Sequence, residues 1–179
     1  PTEACLDTVM EMLDLPIMDA TKEDQHGRTA LSWMMMNTTL YGAPNLKEIM
    51  IPIARKLIEM GGSLSAFDIY DFTPLIRYVG RMVPTVPCME CLLELLELPT
   101  VDIHQTDHNG NNLLHYLMDN HEFFYSFGVK NIFLRIKDAL SKKNSSLTHF
   151  PGHCLLFKSF VQVKTLSRGV RLSFKILFN

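Results

Sequence analysis

The chain matches itself at a constant offset of 83 residues. Met12 to Trp33 (MLDLPIMDATKEDQHGRTALSW) aligns without a gap on Leu95 to Tyr116 (LLELPTVDIHQTDHNGNNLLHY). Leu13, Leu15, Pro16, Asp19, Asp24, Gly27 and Leu31 fall on Leu96, Leu98, Pro99, Asp102, Asp107, Gly110 and Leu114. A third copy lies between them in Lys56 to Tyr78, and its aspartates place the three anchors at Asp24, Asp68 and Asp107, 44 and 39 residues apart. A unit of this size cannot bury its own apolar face, so copies must stack and share one elongated core. The self-match therefore limits the chain to repeat architectures.

The residue types within each copy explain how a unit is built. Aspartate three residues before glycine, as in DQHG and DHNG, suits a tight tip that needs a local side-chain acceptor and a positive φ. Thr73-Pro74 marks a helix start, with threonine as the cap and proline at the first helical position. Ile53, Ala54, Leu57 and Ile58, and then Leu92, Leu93, Leu95 and Leu96, recur at helical spacing and are wide enough to bury on two neighbours. Gly61-Gly62 closes the second helix of its copy. The extra length of the copies falls in TTLYGAPN (Thr38 to Asn45) and GRMVPTVP (Gly80 to Pro87), both read as loops between paired helices.

On these residues the pattern resembles the ankyrin repeat, D-x-x-G-x-T-P-L-H followed by L-L-x-x-G-A-D-V-N. One copy has Asp24, Gly27, Thr29, Ala30, Leu31, then Leu57, Ile58, Gly61, Gly62 and Leu64; the next has Asp68, Thr73, Pro74, Leu75, then Leu95, Leu96, Asp102 and Ile103; the last has Asp107, Gly110, Leu113, Leu114 and His115. It departs from the pattern where Asp71 replaces the turn glycine, Asn112 replaces threonine, and Ser32 and Ile76 replace histidine. The resemblance implies a mainly α fold: an ankyrin-repeat solenoid of stacked helix-turn-helix units with β-hairpin-like loops, followed by a non-repeat C-terminal tail. It divides the chain into a partial repeat (1–23, a second helix and loop), repeats at 24–67 and 68–106, a degenerate repeat at 107–141 and a tail at 142–179.

The resemblance also implies non-catalytic recognition of another protein through hairpin tips and inner-helix positions. Those are Gln25, His26, Arg28, Met36 and Asn37; Ile69, Tyr70, Phe72, Gly80 and Arg81; and His108, Asn109, Asn111, Asp119 and Asn120. Tyr70 and Phe72 are the expected anchors, because aromatic residues carry much of the energy at interfaces. His115 occupies the position whose imidazole, in that family, ties adjacent repeats together. Two further readings stand beside this one: the cytoplasmic ankyrin segment of a larger channel, receptor or signalling regulator, and an accessory region of an enzyme whose catalytic domain lies elsewhere.

One motif competes with the repeat. Cys88, Cys91, His104 and His108 read C-x2-C-x12-H-x3-H, the spacing of a Cys2His2 zinc site. A zinc finger needs one helix carrying both histidines, yet Pro99 would sit inside that helix and break it. Glu94, Glu97 and Asp102 would oppose phosphate on its reading face. The expectation is therefore no metal and no cofactor. Cys88-x-x-Cys91 without a βαβ context is a weak redox signal. Trp33 is expected as a core or inter-repeat residue, and Met34-Met35-Met36 as helix interior with one exposed side. No Gly-rich phosphate loop or G-x-S-x-G turn is present.

The net charge of −2 conceals an asymmetry: up to Ser141 there are 10 Lys and Arg against 19 Asp and Glu, and from Lys142 onward 7 basic residues and no acidic one. Lys142 to Ser146 (KKNSS) reads as the seam. Alternation in V-Q-V-K and V-R-L-S-F-K-I around Ser167-Arg168-Gly169 predicts a β-hairpin in the tail. Three readings of it stay open: a basic strand pair docked on the acidic array, with residues 155–178 against the last helix pair around Ile132 to Leu140; a membrane-surface or nucleic-acid contact; or a non-native end. Four cysteines and 11 methionines, with no apolar span and no leader pattern, point to an intracellular setting, and Pro1 in place of Met fits a piece of a longer chain.

Overall fold

The computed structural model of the protein describes residues 3–120 together with 135, 136, 138 and 139. All of these lie in the first of the two units into which the chain divides, 1–145 and 146–179. The chain runs through α1 (Glu3–Leu13), α2 (Ala30–Met35), α3 (Leu46–Glu59), α4 (Pro74–Arg81), α5 (Val86–Leu96) and α6 (Leu113–Asp119). The fold is mainly helical, and no strand occurs among the described residues. Most of the last segment beyond Asn120, the expected tail hairpin and its packing near Ile132 to Leu140 lie outside them.

The helices form two rows. α2, α4 and α6 pack in succession, as do α1, α3 and α5, and α2 against α3 joins the rows. The 83-residue offset is visible in this order: added to the bounds of α1 it gives those of α5, and added to the start of α2 it gives the start of α6. Between the rows lies a core in which Leu31, Met50, Leu64, Tyr78, Met89 and Leu95 are fully enclosed. The Tyr78 ring stands edge-on to Tyr41 at 5.2 Å, and its hydroxyl donates to the Cys88 carbonyl at 2.8 Å. Burial drives the hydroxyls of both tyrosines far above their ordinary pKa, so they remain neutral donors.

Each short helix starts where a side chain satisfies its free amides. Thr29 accepts from Ser32, Thr73 from Ile76 and Thr85 from Cys88, while Asn112 accepts from Leu114 and His115. His115 completes a reciprocal cap, its Nδ1 accepting from the Asn112 amide at 3.1 Å. The end of α3 is closed by Gly61 at φ +95°, with the Gly61 amide bonded to the Ile58 carbonyl and the Gly62 amide to the Leu57 carbonyl. A Cβ at Gly62 would stand 2.8 Å from that Leu57 oxygen and 3.0 Å from Leu31 Cδ1. Only glycine fits this crossing.

The loop expected over Gly80 to Pro87 is shorter than its composition suggests. Gly80 and Arg81 complete α4, while Val86 and Pro87 open α5 behind the Thr85 cap, leaving only 82–85 between them. Proline in a first turn costs no hydrogen bond, so here it begins a helix rather than lengthening a loop.

Candidate binding face at the aspartate turns

The three anchoring aspartates build the same turn three times. The Asp24 amide donates to the Arg28 carbonyl and the Gly27 amide to the Asp24 carbonyl; the pairs Asp68–Phe72 and Asp71–Asp68, then Asp107–Asn111 and Gly110–Asp107, repeat this at 2.9 to 3.0 Å. Each Oδ1 then accepts two amides from inside the turn: His26 and Arg28 for Asp24, Tyr70 and Phe72 for Asp68, Asn109 and Asn111 for Asp107. One carboxylate oxygen thus fixes five residues of backbone. The fourth residue of each turn has a positive φ: +69° at Gly27, +61° at Asp71 and +78° at Gly110. Asp71 holds this left-handed position despite its side chain, which aspartate tolerates better than most residues.

The second carboxylate oxygen reaches a donor nine residues along the chain, on the helix that follows. Trp33 Nε1–H donates to Asp24 at 3.2 Å, Arg77 Nε–H to Asp68 at 2.6 Å and the Tyr116 hydroxyl to Asp107 at 2.7 Å. Arg28 also pairs with Asp24, and the Arg77 guanidinium closes an ion pair with Asp68 in which the side chains are only 11% and 1% exposed. Partial burial opposes the charged form of Asp24. Hydrogen bonds from the Arg28 amide and guanidinium and the His26 amide outweigh it, holding the carboxyl at a pKa of about 2. At Asp107 burial is likewise outweighed, by the Tyr116 hydroxyl and the Asn111 and Asn109 amides, and the value is again about 2.

Rings and cations line the outside of these turns. The Arg28 guanidinium lies 4.2 Å from the Trp33 ring centroid, and Arg77 lies over Phe72 at 4.8 Å and Tyr70 at 5.9 Å. Phe72 meets Tyr116 edge-on at 5.8 Å, and His26 faces Tyr70 at 5.7 Å. Neighbouring turns are also bonded directly. The Ile69 amide donates to the His26 carbonyl at 3.1 Å. At the next junction the Asp71 carboxylate takes the acceptor role, receiving the His108 amide at 3.0 Å and contacting His108 Nδ1 at 2.7 Å.

The expected contact residues divide by exposure. Gln25, Asn37, Ile69, Tyr70, Gly80, Arg81, His108, Asn109 and Asp119 are exposed, and His26, Arg28, Phe72, Asn111 and Asn120 are half-buried. Met36 is a correction: it is 8% exposed, because it closes α2 with its side chain turned into the core. Asn120 has a structural task, its Nδ2 donating to the Val79 and Met82 carbonyls at the end of α4. Phe72 is wedged between Arg77 and Tyr116, which leaves Tyr70, at 50% exposure, as the more exposed aromatic of the pair. Trp33 corrects a second expectation. It is 52% exposed rather than core, held by Asp24 and Arg28. The shared nine-residue spacing from the aspartates was the signal that could have found it, with Arg77 and Tyr116.

The zinc-like spacing spans two environments. Cys88 and Cys91 lie fully buried in α5, with Cys88 Sγ–H directed at the Tyr41 carbonyl, whereas His104 and His108 are exposed in the loop beyond. Burial raises the Cys88 thiol and pushes Cys91 up to about 12, so both stay protonated rather than offering thiolates. Among the described residues no group of three or more His, Cys, Asp or Glu is placed to hold a metal ion, and no helix is long and apolar enough to cross a membrane. A scan against protein-family models found no match to this chain, and no curated protein matches it.

Proposed function

We propose that the chain is an ankyrin-repeat module that recognises another protein, without catalysis, through its turn tips and the adjacent helix positions. The observation that carries this reading is the contrast within the three turns. Their backbones are held by the same hydrogen bonds at Asp24, Asp68 and Asp107, while the outward residues differ completely: Gln25 and His26, Ile69 and Tyr70, His108 and Asn109. A constant frame with variable, exposed tips is what a recognition surface requires. Ile69 at 63% and Tyr70 at 50% exposure supply apolar and aromatic surface at the tip, Tyr70 being held beside His26 with its hydroxyl 3.2 Å from His26 Nδ1. Asp24, Asp68 and Asp107 are engaged within the turns and the thiols of α5 are buried, so these groups serve the fold. Free Cys88 and Cys91 fit a reducing, intracellular setting.

A photo-crosslinking side chain at position 70, compared in cells with one at exposed Glu59 on α3, tests the proposal. A protein adduct is expected from position 70 alone, with its yield reduced about tenfold by Ile69→Ala. Equal adducts from both positions, or none from position 70, would remove the tips as the binding surface.

A further inference from the structure

Among the described residues a single buried side-chain oxygen, Gln105 Oε1, accepts no hydrogen bond from the protein. An amide oxygen withdrawn from water and left unpaired is costly, and native folds almost always provide for it. The provision lies beside it. Gln105 lines a cavity of about 10 Å3 together with Ser65, Thr73 and Asp102, with Leu64 and Leu113 as apolar wall. That room suits one water molecule and nothing larger. The glutamine belongs to this copy alone: two residues before their anchoring aspartates, the other copies carry Lys22 and Ala66.

The hydroxyls around the cavity have protons to give. Thr73 Oγ1 accepts the Ile76 amide at 3.1 Å as the cap of α4, and Ser65 Oγ accepts the Asp102 amide at 2.8 Å. Each oxygen thus serves the backbone, and each hydroxyl proton is left for another acceptor. A water can take those protons on its lone pairs and return one of its own to Gln105 Oε1. That gives it the three bonds usual for an internal water. The terminal torsion of glutamine is broad, so a small turn aims the amide at such a guest.

We propose that this cavity is a binding site for one ordered water, which joins Gln105 Oε1 to the Ser65 and Thr73 hydroxyls. Ser65 stands near the end of one copy, Thr73 caps a helix of the next, and Gln105 leads into the Asp107 turn. The water therefore ties three stretches of the stack at one point. This site is internal and does not depend on the role proposed for the turn tips.

A crystal structure of the full chain should show one water about 2.5–3.0 Å from Gln105 Oε1 and from at least one of the two hydroxyls. Gln105→Met keeps the length of the side chain and removes the acceptor, and its sign separates the alternatives. With a water in place the substitution breaks the bridge, lowering the urea midpoint and the folding constant by about fivefold. With Oε1 unpaired it relieves a penalty, and the midpoint rises. Ser65→Ala should cost less in the Gln105→Met background than in the parent, because both act through one water. Its lost bond to the Asp102 amide is common to the two backgrounds and cancels. An unchanged or raised midpoint for Gln105→Met, additive costs for the pair, or a crystal structure with no water at Gln105 Oε1 would overturn the proposal.

Discussion

Replacing Asp68 by alanine separates a carboxylate that holds its turn together from one that is merely well placed. Four hydrogens converge on it, from the Tyr70 and Phe72 amides and from two guanidinium nitrogens of Arg77. Its side chain is 1% exposed and that of Arg77 11%. Removal therefore strands a nearly enclosed cation as well as two turn amides. Breaking a buried ion pair from one side costs about 3–5 kcal/mol, most of it from the charge left behind. Asp68→Ala should fall in that range by urea denaturation followed by helical circular dichroism. Adding Arg77→Met to Asp68→Ala should restore about 1–3 kcal/mol, because the stranded charge is then gone. Asp24→Ala should cost clearly less, since that carboxylate is 28% exposed and water can replace its partners. A loss below about 1 kcal/mol at Asp68, or equal losses at the two sites, would show that burial of the pair is not what stabilises the turn.

Gly62→Ala should destabilise by about 1–3 kcal/mol in the same assay, because the new methyl meets the Leu57 carbonyl at 2.8 Å and neither backbone can withdraw; a neutral result would mean that the α3 terminus is freer than its hydrogen bonds imply. Asp24 and Asp107 titrate near pH 2 in the folded protein, below the ordinary 3.8, so their contribution is complete above about pH 4 and is lost as pH falls toward 2. Asp24→Asn/Asp107→Asn should flatten the stability profile across that window and not at neutral pH, as acid titration at fixed urea would reveal. In a Cys5→Ser/Cys154→Ser background, Cys88 and Cys91 should resist a disulfide reagent at pH 8 until urea unfolds the chain, given their enclosure and raised thiol pKa. Rapid labelling of the native protein would mean that α5 opens readily.

The parts of this architecture legible in the sequence were those where one residue type has one physical reason. Aspartate at the start of a tight turn, glycine at a positive φ and Thr73 before Pro74 each has few substitutes, so spacing alone located Asp24, Asp68, Asp107 and the start of α4. Asp71 could be matched to the turn glycines by register, but its bond to His108 depends on how one unit sits on the next. Composition misled where two physical roles share a residue. Pro87 reads as a loop and serves as a helix start. Trp33, large and usually enclosed, is held outside by a carboxylate and a guanidinium. Met36 entered the contact list through the resemblance alone, and one step around a helix separates core from surface.

The oxygen that Asp24, Asp68 and Asp107 each turn toward the following helix accepts an indole, a guanidinium and a phenol without altering the turn. Any side chain long enough to carry a proton there will serve, so substitution at that helix position is nearly free to wander. Asp71 adds a second freedom, with a carboxylate taking over a bond that the preceding junction makes through backbone. A unit specified by where protons meet oxygens, rather than by which residues bring them, can keep its shape while its letters drift apart. Kinship between such chains would then survive in hydrogen-bond register long after it had faded from alignment.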